Sequence, residues 1–210
     1  MLRAISYKSI SHYPDLFFGQ FRLRHQEFIE RQAYRVRTLD GLEFDEYDTL
    51  ASVYLVYSED DKTVLGCSRL TPLGYGCMLA DHFPQLVDAP ARLGRPGVWE
   101  GTRFCIDRRL SADLRRRICH HLCLGYLEYA LAQGISEIIG VMPTLVLRTV
   151  FERSGIQLER LGDVHRLDDN VPLQAAAICV TEAQLAACQA RTGLVSALCE
   201  VGSHGRRHVA

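Results

Sequence analysis

Lysine is nearly absent from this chain of 210 residues. Lys8 and Lys62 are two of its 24 basic side chains, and arginine supplies the rest. An excess of one charge is also absent. With 25 acidic residues the net charge is −1, which excludes a generally basic nucleic-acid binder. No apolar run approaches the roughly 18 residues of a membrane span. The opening MLRAISYKSISHY has no apolar core of signal-peptide length. Eight cysteines occur (Cys67, Cys77, Cys105, Cys119, Cys123, Cys179, Cys188 and Cys199), but none forms a CxxC pair. That pattern does not indicate a disulfide scaffold. The expectation is a soluble protein of the reduced cytoplasm.

What is present suits an ordinary folded chain. Apolar residues make up 48% and charged residues 23%, which excludes wholesale disorder, collagen and a coiled coil. The length is enough to bury a core without staples. We expect one domain over residues 1–191 and a flexible tail over 192–210. The arginine bias has two readings: coding bias, or side chains that grip carboxylate or phosphate by bidentate geometry. Cys119-His120-His121-Leu122-Cys123 is the sharpest metal-like cluster, because i,i+4 cysteines share a helix face. No second cluster of matching spacing closes a four-ligand site. A packed helix with incidental thiols is expected, with no metal and no cofactor.

The order of elements reads as α/β. Leu2 to Tyr7 is an expected strand and Tyr13 to Glu30 a helix, with Leu16, Phe17, Phe21, Leu23 and Phe28 apolar. Arg31 to Thr49 has no period and reads as a long loop. Leu50 to Tyr57 and Val64 to Leu70 flank the polar turn Ser58 to Lys62, a hairpin pattern. Val98 to Ile106 is a third strand. Ser111 is placed to cap a helix from Ala112 to Gln133, which Gly134 ends. Strands follow at Ile135 to Met142, Ile156 to Leu161 and Ala175 to Val180. Helices follow at Pro143 to Arg153 and from Thr181 to about Arg191. The sum is a mixed sheet with helices on both faces.

Charge is clustered. Asp40, Glu43, Asp45, Glu46 and Asp48 crowd one short stretch, after Arg22, Arg24, Arg31, Arg35 and Arg37. The acids form either a solvated loop or a site for an organic cation, since Phe44 and Tyr47 flank Asp45. A second cluster is Trp99-Glu100-Gly101-Thr102-Arg103-Phe104. In an ideal strand Glu100 and Arg103 fall on opposite faces. Bringing them together needs a bulge or a twist near Gly101. A Glu and an Arg in an apolar strand are costly unless paired or functional, and Arg69 poses the same question.

These residues, taken in order, resemble the acyl-homoserine lactone synthases, the autoinducer synthases of bacterial quorum sensing. The pattern is carried by Arg24, Phe28, Glu43, Asp45, Tyr47, Asp48, Cys67, Arg69, Leu70, Phe83, Glu100 and Arg103, over about residues 2 to 187. Tyr34 stands where that family has Trp. The resemblance implies an N-acetyltransferase-like αβα sandwich, with a twisted mixed sheet and a V-shaped cleft. It implies two substrates, S-adenosylmethionine and an acyl thioester. The amine attacks the thioester carbonyl; the substrate carboxylate then closes the lactone and expels methylthioadenosine.

Each step has candidate residues. Glu100 is the first candidate to take the amine proton, with Asp45 or Asp48 second. Arg24, Asp45, Asp48, Arg69, Glu100 and Arg103 are expected to form one network. Phe28, Tyr34, Phe83, Trp99 and Phe104 are expected to line or close the cleft. Met142, Thr144 and Leu147 fall at the family's acyl-specificity positions, though Thr144 equally suits a helix N-cap. The small residues Gly140 and Ala175 to Ala177 are expected to leave room for a longer acyl chain. Arg148, Arg153 and Arg160 are positioned to meet an acyl carrier protein, the donor that family prevalence favours over CoA; solvated helix faces explain them equally well. Two alternatives stand beside this reading. A generic acetyl-CoA N-acyltransferase would show a glycine-rich pyrophosphate turn where Arg108 to Asp113 has no glycine. A non-catalytic ligand-binding domain would have no use for Glu100 and Arg103 inside a strand.

Overall fold

A computed structural model describes residues 1–34, 36–166 and 171–199. Its strands are β1 (Leu2–Ile5), β2 (Thr38–Leu39), β3 (Leu42–Glu43), β4 (Val53–Tyr57), β5 (Gly66–Pro72), β6 (Val98–Ile106), β7 (Glu137–Pro143), β8 (Glu159–Arg160), β9 (His165–Arg166) and β10 (Pro172–Cys179). Its α-helices are α1 (Pro14–Arg24), α2 (Met78–His82), α3 (Ala112–Ala132), α4 (Thr144–Val146) and α5 (Glu182–Thr192). The main sheet runs β1-β4-β5-β6-β7-β10-β8, with β9 also on β10. Among the described strands of this sheet, β6 and β7 pair in parallel and the other neighbours pair antiparallel.

Local chemistry explains the elements. Ser111 accepts the Leu114 N–H and Thr181 accepts the Gln184 N–H, so both expected caps are made. Asp60 accepts the N–H groups of Lys62 and Thr63, closing the turn of the β4–β5 hairpin. The first helix does not run evenly to Glu30: beyond Arg24 it widens into a π-helical turn over His25–Glu30. The helix after β7 widens in the same way over Leu147–Phe151. The expected loop from Arg31 to Thr49 contains the small β2–β3 hairpin. The expected strand Ile156 to Leu161 shortens to β8.

The layers follow from the apolar pattern. α3 packs Ile118, Leu122, Tyr126 and Leu127 against Leu2, Leu55, Leu70, Ile106 and Ile138 of one sheet face. On the other face α1 packs Leu16 and Phe21 against Tyr54, Val56, Cys67 and Cys105. Also apart from the α3 cluster, Leu79 of α2 packs with Val98, Ile139, Ala175 and Ala177. The expected tail does not begin at residue 192. Glu128 of α3 accepts the Ala197 and Leu198 N–H groups, and Leu198 bridges to Leu2. Residues 200–210 of that tail lie outside the described residues, as does Arg35.

Two irregularities shape the middle of the sheet. The first is a bulge between β5 and β6. Cys67 faces Cys105 and Arg69 faces Thr102, so Ser68 alone opposes Arg103 and Phe104. Arg103 has φ +55, the left-handed conformation of a bulge's first residue. The alternation shifts by one, so Arg103 joins Glu100 and Thr102 on one face while Phe104 joins Trp99 and Gly101 on the other. The bulge needed to unite Glu100 and Arg103 exists, at Arg103 itself and not at Gly101. The second irregularity is the parting of β6 from β7. Their pairing covers only Val98–Glu137, Trp99–Ile138 and Glu100–Ile139. Beyond Glu100 the strands splay into a V. At its apex a Cβ on Gly140 would lie 2.7 Å from the Gly101 carbonyl oxygen, so glycine permits the close approach.

Candidate active site

Where the α1 side of the sheet meets the acidic segment, six charged side chains form a closed ring. Arg24 gives Asp48 two parallel bonds, Nη1–Oδ1 and Nη2–Oδ2, each 2.8 Å. Its Nε donates to Glu43. Glu43 also accepts from Arg103 Nε at 3.0 Å. Arg103 Nη2 pairs with Asp45 at 2.6 Å. Asp45 accepts from both terminal nitrogens of Arg69, and Arg69 Nη1 returns to Asp48 at 2.9 Å. Each arginine thus bridges two carboxylates, and each carboxylate bridges two arginines.

Burial makes that arrangement necessary. Arg24 and Glu43 are 0% exposed and Arg69 is 1% exposed. An ion removed from water costs several kcal/mol unless opposite charge and hydrogen bonds replace the solvent. Fork-to-fork guanidinium–carboxylate pairs supply both. Secondary bonds complete the ring. The Tyr54 hydroxyl and the Asp45 N–H donate to Asp48, each at 2.9 Å, and Arg69 Nε donates to the Thr102 hydroxyl. Burial alone would raise the Asp48 pKa, but bonding and attraction from Arg24 outweigh it and hold Asp48 well below the usual carboxylate range. Burial likewise opposes the Arg24 charge, yet Asp48 and Glu43 raise its pKa overall.

Glu100 departs from the expected network. Among the described residues no arginine forms an ion pair with it. Its two oxygens accept the backbone N–H groups of Met78 (2.8 Å) and Leu79 (2.7 Å), at the start of α2. Glu100 is 1% exposed. Burial pushes its pKa above the ordinary value; the two N–H bonds and Arg69 offset only part of that rise. Its proton affinity is raised where that of Asp48 is lowered. It stands at the last paired position of β6 and β7, where the V opens.

The aromatic candidates divide between two faces. The Phe28 and Tyr34 rings stack at 5.9 Å with 6° between planes, and the Arg103 guanidinium lies 5.9 Å from the Phe28 centroid. This pair sits on the ring's side of the sheet. Phe83 follows α2 and packs in the cluster of Leu79 and Val98. Trp99 does not share the face of Glu100: it packs edge-on against Tyr129 of α3. Phe104 meets Tyr126 and Phe151 on that same opposite face. The bulge sends Phe104 there, and strand alternation sends Trp99.

A cavity occupies the V on the α3 side. Met142, Leu147, Phe151, Leu158, Ala176 and Tyr126 line it, with Gly101 and Gly140 at its apex. Its free volume is about 20 Å³, room for about one water. Met142 and Leu147 both face it. Of the small residues, Ala176 faces the cavity while Ala175 and Ala177 belong to the cluster beneath α2. Thr144 is half-buried and begins α4 after Pro143, which holds the N-cap position; no side-chain cap bond is made there. Arg148 and Arg153 are exposed on the segment after β7. Arg160 is not free, since it pairs with Glu152 at 2.6 Å.

Several contributors escaped sequence reasoning. Glu43 was part of the motif but had no assigned role, and it is the bridge from Arg24 to Arg103. The Met78 and Leu79 amides carry no side-chain signal at all. At the turn from Arg108 to Asp113, the Arg108 N–H donates to Glu27 and the Arg109 N–H to Asp107. Those amides are therefore spent on carboxylates and do not form a pyrophosphate cradle. Cys119 and Cys123 lie on the packed side of α3. Among the described residues no group of three His, Cys, Asp or Glu side chains is arranged to hold a metal ion. No described helix is long and apolar enough to cross a membrane.

Comparison with known proteins agrees with this geometry. The family model described as autoinducer synthase matches residues 12–186. An isovaleryl-homoserine lactone synthase of Bradyrhizobium diazoefficiens is 31% identical over 199 residues, covering 93% of this chain and 87% of that protein. A solved CoA-dependent acyl-homoserine lactone synthase with SAM and isopentyl-CoA superposes with a TM-score of 0.83. It is 30% identical, and the match covers 95% of this chain and 92% of that one. A putative N-acetyltransferase from Lactobacillus plantarum matches with a TM-score of 0.56 at 16% identity, covering 86% of this chain and 99% of that one, a likeness of fold alone.

Proposed function

This chain belongs to the autoinducer synthase family, an acyltransferase family, and from that premise we propose how its site works. The enzyme joins an acyl group from a thioester to the amine of S-adenosylmethionine, then releases the lactone and methylthioadenosine. The observation that carries the reading is Glu100, the one site carboxylate not neutralised by an arginine, held at the mouth of the V. Its raised pKa suits it to accept the amine proton, directly or through one water. The oxygens of Asp45 and Asp48 are already taken up by the arginine ring.

The other residues position. The ring ties the acidic segment to α1, β5 and β6, and the stacked Phe28 and Tyr34 stand beside it as an aromatic surface for the sulfonium substrate. Backbone N–H groups along the splayed strands are the donors available to the oxyanion of the tetrahedral state. Lactone closure expels a sulfonium leaving group that is already activated, so holding the substrate folded is the main requirement. S-adenosylmethionine is then a substrate, and the reaction calls for no cofactor. We place it in the cytoplasm, where both substrates are made.

The cavity supports a short acyl chain, because Met142, Leu147, Phe151 and Leu158 already fill most of the V. The relative named for isovaleryl transfer points the same way. For the donor we favour CoA over the carrier protein, since the solved CoA-dependent relative covers nearly the whole chain. Arg148 and Arg153 remain as exposed cations for a donor phosphate; the spent amides at Arg108 and Arg109 would not contribute.

The test is turnover. Purified protein with S-adenosylmethionine and a panel of acyl-CoA and acyl-carrier thioesters is expected to release methylthioadenosine and a short-chain acyl-homoserine lactone. No turnover with any donor overturns the function, and a higher kcat/KM with carrier protein overturns the donor assignment. Glu100→Gln is expected to lower kcat by about 10²–10⁴-fold while the protein stays folded. A wild-type rate in that variant removes Glu100 as the base.

A further inference from the structure

α2 is a weak helix with an important task. It has five residues, and its N-cap is Cys77, whose sulfur accepts the Ala80 N–H at 3.4 Å. Sulfur is a poor substitute for the oxygen of Ser, Thr, Asp or Asn at that position. A helix this short does not hold itself together in water. Yet its first two amides are the groups that hold Glu100. Something besides the helix must fix them.

The acidic segment provides a tie. The Tyr47 hydroxyl donates to Asp81 Oδ2 at 2.8 Å. Tyr47 itself is anchored at three points: its N–H donates to Asp45, its carbonyl accepts from Ser52, and its ring lies 5.9 Å from the Arg69 guanidinium. The ring also rests on Gly76. A Cβ there would come within 3.0 Å of Tyr47, and Gly76 has φ +116, so the approach requires glycine. One side of the tyrosine therefore belongs to the arginine ring and the other to the segment that leads into α2. The other contacts between them are a long bond from Arg103 Nη1 to the Met78 sulfur at 3.5 Å, the edge-on Tyr47 and His82 rings at 6.1 Å, and the solvated His82–Glu46 pair at 3.9 Å, all weaker than the Tyr47–Asp81 bond.

We propose that Tyr47 and Asp81 are positioning residues, a hydrogen-bonded strap that registers α2 on the arginine ring and so sets the place of Glu100. The proposal rests on Glu100 as the base. Charged and titratable groups face Glu100 from each packed element: Arg69 from β5, Asp45 and Tyr47 from the acidic segment, and Cys77 from the α2 segment. Loosening the strap moves the two amides away without changing the Arg69 or Asp45 charge. Weaker amide bonds leave the buried carboxylate harder to ionise.

The decisive measurement does not depend on turnover. Protein labelled with ¹³C at the glutamate carboxyls is titrated by NMR, with Glu100→Gln to assign the signal. In Tyr47→Phe, which keeps the ring and both backbone bonds, the Glu100 midpoint is expected to rise by about half a pH unit or more. Asp81→Ala is expected to do the same, and Asp81→Asn, which keeps an acceptor, is expected to restore the wild-type midpoint. Asp81 is exposed, so its variants fold even if the tyrosine variant does not. In the active enzyme the acid limb of the kcat profile should shift by the same amount, with KM for S-adenosylmethionine little changed. Unmoved Glu100 midpoints in both Tyr47→Phe and Asp81→Ala overturn the strap and leave the proposed function standing. Failure of the wild type to turn over overturns the function and leaves the midpoint comparison intact.

Discussion

Glu43→Gln isolates the cost of breaking the arginine ring. The substitution is isosteric and removes one negative charge from a group that is 0% exposed. It leaves Arg24 and Arg103 each with one carboxylate where each had two. The ring then carries a buried excess of one positive charge. Removing one partner of a buried ion pair costs about 3–5 kcal/mol, and the surviving partners place this variant near the lower end. For a domain of this size about 1 kcal/mol corresponds to a change of about 2–4 °C in Tm, so a fall of roughly 6–12 °C is expected. Differential scanning calorimetry at neutral pH reads it directly. Asp113→Ala is the matched control: Asp113 also pairs with an arginine, Arg116, but the two side chains are 86% and 63% exposed. That pair should move Tm by no more than about 2 °C. A Glu43→Gln protein melting within 2 °C of wild type would refute the account of the ring as buried and mutually dependent.

Two more outcomes follow from the same geometry. Gly140→Ala places a methyl 2.7 Å from the Gly101 carbonyl oxygen, and backbone at a strand apex yields little. A loss of about 1–3 kcal/mol in urea unfolding is expected, together with reduced acyl transfer; unchanged stability would mean the V is not closed there. Stability should also fall in acid through Asp48. Its folded pKa lies below its unfolded value near 3.9, so its contribution is fully present above that value. It is lost as pH drops through the unfolded value toward the folded one. Asp48→Asn should flatten the stability slope below about pH 4, and an identical slope in the variant would exclude the linkage.

Much of the site was legible as composition along the chain. A segment with five acids and an arginine-rich helix before it announces ion pairing. An embedded Glu100 and Arg103 announce that a buried charge has a partner or a task. The partner choices were not legible. Glu100 seemed bound to the arginines by charge, yet α2 amides claim it, because the bulge gives Arg103 to Glu43 and Asp45. The resemblance groups Trp99 and Phe104 with Phe28, Tyr34 and Phe83 around the cleft, yet alternation and the bulge turn both rings toward α3.

The sequence by itself determined the helix caps at Ser111 and Thr181, the hairpin, and the strand that bears Glu100 and Arg103. These depend on local geometry and on residue type, which neighbours in the chain already specify. Only the tertiary structure decided which arginine meets which carboxylate, that the ring takes Glu43 and not Glu100, where the bulge falls, and why burial raises the proton affinity of Glu100 while Arg24 lowers that of Asp48. Those outcomes arise between residues 19 to 60 positions apart. They depend on register and burial, where one residue of slip reverses a face and the loss of water turns a weak pairing into a requirement.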